Sequence, residues 1–333
     1  MGVRWTLALG GRRAVVTDDL LLSASIAHQV GGSTHEELVD AIRASGLVRH
    51  DNVMKALATV DRSDFTLDVA ASSSTYFNAP TVLCSATGAT MSAPAHHAQT
   101  LELVADRLQS EGASCLEVGS GTGVLCALLA RAGASRVRGL ELNPRLHERA
   151  VDVAAAQGTP GLEFQCGNAM LELERDAADP SFDVIVVTPC VEEEEELKSL
   201  AAAHLREGGR LVGAVGSGGR EQRLVTWDKV GPDAGNLERT ELHAVLCQAM
   251  LSHKTGEELL RAAERGGGVD VGVGTAGKQS HAEELADVQG RLADWKSAFA
   301  EKHGKPPSRE DMLTDSEAQS LFARFSTLRK RVW

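Results

Sequence analysis

Four absences bound what this chain can be. It has no excess of positive charge: 34 Lys and Arg stand against 46 Asp and Glu, a net charge of -12. That balance argues against a general nucleic-acid binder and against a polybasic membrane anchor. It has no paired cysteines, because the six at 84, 115, 126, 166, 190 and 247 lie singly in apolar segments without a CxxC pair. The spacing predicts buried, reduced thiols in an intracellular, cytoplasmic protein, with no disulfide frame and no metal site. It also has no apolar run near the ~18 residues a membrane-crossing helix requires, and no internal repeat. What is present is 333 residues, 43% of them apolar, enough for one large domain or a medium domain with appendages.

The first 32 residues read as an extension. Arg4, Arg12 and Arg13 would suit a mitochondrial leader, but Asp18 and Asp19 follow soon after. Gly2 and Thr6 match the loose myristoylation pattern. A short hairpin turning at Gly10–Gly11 explains the same stretch more simply. Residues 34–60 show a helical apolar period through Leu38, Ile42, Val53, Leu57 and Val60, with Thr34 and Glu37 spaced as a capping box. Residues 72–92, rich in Ser, Thr, Ala and Gly, read as a loop before a helix at 94–110 led by Pro94.

Beyond that helix, strands and helices alternate. "SCLEVGS", "RVRGLEL", "LEFQCGN", "FDVIVV" and "GRLVGAVG" read as strands, and "LHAVLCQAM" as the last. The intervening helices include "EELKSLAAAHLREGG", closed by Gly208–Gly209. This alternation predicts an α/β fold with a mostly parallel, doubly wound sheet. The expected division is an extension at 1–32, a main domain at 33–255, a glycine-rich linker at 256–284 and a helical hairpin at 285–333. In the hairpin, Trp295 and Phe299 stand at i, i+4, Leu321, Phe322, Phe325 and Leu328 form a second stripe, and Ser308 is placed to cap. Such a hairpin is expected to dock on a protein partner or on the body of the chain.

"CLEVGSGTGVL" sets Gly119, Gly121 and Gly123 at a strand-to-helix turn, where backbone can approach a ligand at a helix amino terminus. Glu117 precedes the turn and Glu141 ends the next strand. An acid before the turn would repel a pyrophosphate but suits an amino group or sulfonium, and an acid at the next strand end can accept ribose hydroxyls. Two acids with no basic residue in the turn describe a positively charged nucleoside cofactor, which S-adenosylmethionine fits. The competing reading is that the glycines only permit tight strand–helix packing.

"HEELVDAIRASGLV…VMKALATVDRSDF", "ATMSAPAHHAQTLELVADRL" and "CLEVGSGTGVLCALLARAG" together resemble the protein-L-isoaspartate O-methyltransferases over residues 33–250. The most specific piece is "TMSAP", which matches the family's TISxP-type loop. The resemblance implies a seven-stranded, Rossmann-like S-adenosylmethionine-dependent methyltransferase sheet with an antiparallel last hairpin. It implies methylation of isoaspartyl carboxylates in damaged proteins, so a protein or peptide bearing isoaspartate is the expected partner. It assigns Ser92 as the essential serine, Ala89, Thr90 and Met91 to the loop over the cofactor, and His97 to its neighbourhood. It assigns Glu117, Gly119, Ser120 and Gly121 to the first cofactor motif, Glu141 to the ribose and Asn168 to the adenine. A carboxylate needs no strong base to attack a sulfonium methyl, so positioning and exclusion of water carry the rate. For Ser92 the alternative duty is to cap the helix behind Pro94.

The chain departs from the family pattern at Asn78 and Asn168, where acids are usual, and in lacking a proline in "LHAVLCQAM". The largest departure is Glu192 to Glu196, directly after the strand "FDVIVV". Acids favour a helix amino terminus, yet near a carboxylate acceptor they repel it by about 1 kcal/mol at ~4 Å in water. A second expectation follows: a protein of the same fold that keeps the cofactor pocket but acts as an interaction or assembly subunit.

Overall fold

A computed structural model of the chain describes residues 5–9, 12–16, 30–67, 73–84, 89–175, 182–217, 221–245 and 250, and separate positions between 288 and 324. Strands β1 (Trp5–Leu9) and β2 (Arg12–Val16) pair antiparallel, and the glycine turn between them lies outside the described residues. The helical period at 34–60 divides into α1 (His35–Ser45) and α2 (Asp51–Thr59). Gly46 ends α1 at φ 69°, a left-handed conformation that costs glycine little. Thr34 caps α1 by accepting the Glu37 amide at 3.2 Å, and the Glu37 carboxylate takes the Ser33 amide at 2.8 Å.

Residues 72–92 are more ordered than a loop. A single turn, Ser73–Tyr76, leads into β3 (Thr81–Cys84) and β4 (Ala89–Met91), which pair antiparallel with Thr81 opposite Met91. Strands of four and three residues carry too little alternation to stand out from a Ser- and Thr-rich background. Helix α3 (Pro94–Val104) is shorter than expected and passes into a separate turn at Arg107–Gln109.

The main sheet contains β5 (Ser114–Val118), β6 (Arg136–Glu141), β7 (Leu162–Cys166), β8 (Phe182–Val191), β9 (Leu205–Val215), β10 (Gln222–Lys229) and β11 (Leu237–Val245). Its order is β11-β10-β9-β8-β5-β6-β7, with β9, β8, β5, β6 and β7 parallel and β10 antiparallel to both neighbours. Helices α4 (Val124–Arg131), α5 (Pro144–Gln157), α6 (Ala169–Arg175) and α7 (Glu194–His204) join the parallel strands. This is the expected doubly wound sheet. Alternation along β8 divides its core: Val184 and Val186 pack with Leu101 and Leu125 on one face, while Ile185 and Val187 pack with Leu197 and Leu205 on the other.

Three expectations shift. Helix α7 ends at His204, and Gly208–Gly209 lie inside β9 at an irregularity in its pairing with β8. Strand β10, "QRLVTWDK", was not foreseen, and the last strand starts at Leu237 instead of Leu242. Cys166 is exposed, since it closes an edge strand with one neighbour, and Cys84 is half-buried; Cys115, Cys126 and Cys190 are buried as expected. Cys247 and the linker at 256–284 lie outside the described residues.

In the carboxyl-terminal segment, the described positions 288, 291, 292, 295, 298, 299, 302 and 303 are helical, and Val288 and Leu292 are buried. Trp295 contacts Phe299 at 5.5 Å and Phe299 stacks on His303 at 4.2 Å, ring centre to ring centre. Ser308 lies outside the described residues; for the helical stretch at 318–321 the cap is Asp315, whose carboxylate accepts the Ala318 amide at 2.9 Å. No helix among the described residues is long and apolar enough to cross a membrane.

Candidate functional site

Strand order reverses between β5 and β8, which opens a crevice at their carboxyl ends. Glu117, on β5, lies there almost wholly buried. One of its carboxylate oxygens accepts the Thr188 hydroxyl at 2.9 Å, and the other accepts the Cys126 thiol at 3.0 Å. Burial pushes its pKa up to about 7, against the smaller opposing effect of those two hydrogen bonds. Neither Thr188 nor Cys126 was anticipated; Thr188 follows the last residue of the apolar run "FDVIVV", a position that faces the crevice in this topology.

The turn after β5 is built as its glycines require. Gly119, Gly121 and Gly123 all have positive φ, at 77°, 56° and 90°. A Cβ on Gly119 would lie 2.7 Å from the Pro189 ring, and one on Gly123 would lie 2.7 Å from the Phe164 ring. Gly123 therefore serves packing, as the competing reading held, while Gly121 is open, with only Leu83 of β3 at 3.7 Å from its would-be Cβ. The amides of Gly119 and Ser120 both donate to the Leu140 carbonyl, at 2.8 and 3.1 Å.

Glu141, at the end of β6, is buried and ties this turn to the next strand. Its two oxygens accept the amides of Gly121 at 2.7 Å and Asn143 at 2.8 Å. Burial raises its pKa, offset in part by those backbone bonds. Each oxygen keeps a second lone pair for a ligand hydroxyl. In the β6–β7 register Glu141 stands opposite Cys166, and the Gly167 amide donates to the Glu141 carbonyl at 2.9 Å. Asn168 follows directly and opens α6, with its carbonyl accepting the Glu172 amide at 3.0 Å. Glu117, Gly119, Ser120, Gly121, Glu141 and Asn168 thus share the rim formed by β5, β6 and β7.

The second half of the site comes from the β3–β4 hairpin, which the Leu83–Gly121 approach sets beside the glycine turn. Ala89 and Thr90 are half-buried, whereas Met91 packs into the hydrophobic core, so only its backbone faces outward. Ser92 is half-buried, and its carbonyl accepts the Arg62 guanidinium at 2.8 Å. The N-cap of α3 is Ala93, not Ser92. Asn78, 17 residues upstream, supplies the missing cap: its side-chain oxygen accepts the Ala95 amide at 3.1 Å. His97 is buried, with Nδ1 3.3 Å from an Arg62 nitrogen.

The family model of protein-L-isoaspartate(D-aspartate) O-methyltransferase (PCMT) matches residues 33–255. The chain belongs to this family. A protein-L-isoaspartate O-methyltransferase of Anaeromyxobacter is 32% identical over 195 residues, covering 58% of this chain and 74% of that protein. The enzyme so named in Triticum aestivum is 30% identical, over 56% of this chain and 80% of its own length. A relative from Dictyostelium discoideum named for the same activity is 28% identical, and this chain spans only 61% of its length. Among solved structures, the Plasmodium falciparum protein crystallised with S-adenosyl-L-homocysteine superposes at a TM-score of 0.55 and 21% identity, over 66% of this chain and 99% of that one. It shares the fold.

Within this PCMT fold the glutamate run has several duties. Glu193 is the N-cap of α7, and Glu194 to Glu196 form its first turn, where acids suit the helix dipole. Glu194 pairs with Arg239 of β11, and Glu195 with Lys198 at 3.0 Å. Glu192 and Glu193 are exposed at the rim; Glu196 is half-buried, its pKa raised by burial and then by Glu193 and Glu192. Two of the five are therefore neutralised locally. The like charge a carboxylate would meet comes from the other three.

Proposed function

We propose that this chain is an S-adenosylmethionine-dependent protein carboxyl methyltransferase that acts on isoaspartyl residues. One observation carries the reading: Asn78 takes over the capping of α3, and among the described residues no group hydrogen-bonds the Ser92 hydroxyl. Ser92 is thereby available to an acceptor, beside a cofactor crevice lined by Glu117 and Glu141.

The residues fit the cofactor. Glu117 and Glu141 are buried acids of the kind a sulfonium nucleoside favours, and the buried hydroxyls of Ser120 and Thr122 have no hydrogen-bond partner among the described residues, which a polar ligand would provide. S-adenosylmethionine, when bound, supplies an electrophilic methyl group. Glu117 would hold its amino end and favour positive charge, while Glu141 would accept ribose hydroxyls and Asn168 would meet the base. Ser92 would donate its hydroxyl to one oxygen of the acceptor carboxylate and leave the other free to attack. Ala89 and Thr90 would cover the pocket against water. No general base is required, because the acceptor is already an anion. The test is methyl transfer from labelled cofactor to an isoaspartyl peptide, with Ser92→Ala as control. Turnover no higher than that of Ser92→Ala would refute the reading.

The division at 32, 255 and 284 is proposed on the same footing, the matched family segment supporting its central part. We also read the 285–333 segment, with its Trp295–Phe299–His303 ring ladder, as a contact for a protein partner. Loss of a co-purifying protein on deleting it would support that role. A cytoplasmic site agrees with five described cysteines that are all free, and cell fractionation tests it.

A further inference from the structure

Arg62 is a buried cation that neither motif nor cofactor explains. It is only 4% exposed, at the start of the turn Arg62–Phe65 that follows α2. No carboxylate among the described residues lies within ion-pair distance of it. Its neighbour Asp61 is engaged elsewhere, accepting the Ser63 amide at 2.9 Å and the Tyr76 hydroxyl at 2.8 Å. Leu38, Ile42 and Val60 lie around the same small cavity as Arg62. In those surroundings burial of a guanidinium costs stability, which the nearby Asp61 charge offsets only in part. Burial lowers its pKa to about 9, which leaves it charged at neutral pH.

What the guanidinium does is hold two parts of one helix start. One terminal nitrogen donates to the Ser92 carbonyl at 2.8 Å, and the other faces His97 Nδ1 at 3.3 Å. Ser92 and His97 flank the Ala93–Pro94 entry of α3, where Pro94 has no amide and Ala95 is capped from Asn78. The fork is planar, so two bonds from it fix both partners in relation to each other. Since Nδ1 must accept from the guanidinium, His97 is neutral and carries its proton on Nε2; burial and then the Arg62 charge disfavour a second proton.

We infer that Arg62 is a positioning residue for methyl transfer: it locks the Ser92 backbone and the His97 ring into one unit, so the Ser92 hydroxyl meets the acceptor in a single orientation. The inference rests on the function proposed above. A lysine could reach one of the two acceptors but not hold both, so Arg62→Lys separates the bridge from the charge.

The experiment uses the full chain with Arg62→Met and Arg62→Lys. It measures kcat and KM on an isoaspartyl peptide, the Kd of S-adenosyl-L-homocysteine by calorimetry, and the His97 tautomer by 15N NMR. Arg62→Met is expected to lower kcat by about 10- to 100-fold, the scale of an ångström of misplacement, with cofactor Kd within about threefold. Arg62→Lys should recover part of kcat, and His97 should change from a fixed Nε2–H tautomer to a mixture in Arg62→Met. Wild-type kcat in Arg62→Met, or losses of kcat and cofactor affinity that both track the folded fraction, would overturn the inference. If the wild type binds the homocysteine but does not turn over the peptide, the proposed substrate is wrong. The His97 signal then decides about Arg62, since an unchanged tautomer in Arg62→Met refutes the bridge and a mixed one supports it.

Discussion

Replacing Glu117 with glutamine removes one buried charge and almost no volume, so its effect on pH dependence can be worked out. Raising a carboxyl from 4.5 to about 7 corresponds to about 3 kcal/mol of differential stability. The folded state holds this proton more tightly than the unfolded chain. The contribution is therefore favourable below pH 4.5, is lost as pH rises through 4.5 to 7, and is constant above. Urea denaturation of the cofactor-free protein at pH 4.5 and pH 8 should show the wild type losing about 3 kcal/mol more than Glu117→Gln over that interval. Carboxyls remote from Glu117 titrate alike in both proteins and cancel in the difference, while Glu141, whose charge acts on Glu117, cancels only in part. A cationic cofactor reverses the sign, since it favours the ionised carboxylate. Between pH 6 and pH 8 the ionised fraction rises about tenfold, and wild-type affinity for S-adenosylmethionine should rise by about that factor relative to Glu117→Gln. Parallel stability curves for the two proteins would refute the claim that Glu117 is buried and largely protonated without cofactor. A parallel rise in affinity would refute its role beside the positive charge.

Three further outcomes are expected. Gly119→Ala places a Cβ at φ 77°, 2.7 Å from the Pro189 ring, and should cost roughly 2 kcal/mol or more, seen as a lower Tm together with weaker cofactor binding. Asn78→Ala removes the only side-chain cap found for α3 among the described residues and should lower stability by about 1 kcal/mol in denaturant titration, while Asn78→Asp should keep most of it. The double substitution Glu192→Gln, Glu193→Gln should lower KM for an anionic isoaspartyl peptide several-fold at low salt, with the gain fading near 0.5 M salt; a gain that persists there would rule out a rim-charge effect.

How much of this was legible depends on the distance over which each feature is held together. Helix α1 announces itself because Leu38 and Ile42 repeat on one face and Thr34 caps the amide three residues on. The glycine turn is equally local: positive φ at 119, 121 and 123 follows from glycine at a strand-to-helix joint. The β3–β4 hairpin was blurred because strands of four and three residues carry too little alternation to show, whereas β10 was missed although its partners lie close in the chain, Arg223 opposite Val215 and Lys229 opposite Leu237. Gly208 and Gly209 look like a helix stop, yet the pairing of Phe182 with Leu205 starts the strand earlier.

Fold class, family pattern and the acids around the glycine turn are all legible in the chain because each is written in short local stretches. How those residues are used depends on the packed fold. It set Glu117 between Thr188 and Cys126, gave the capping of α3 to Asn78, and put the Arg62 guanidinium against Ser92 and His97. It also divided the five glutamates between local ion pairs and an open rim. The longer of these contacts join residues 17 to 71 positions apart, and such pairs meet only when the sheet and its covering helices have packed.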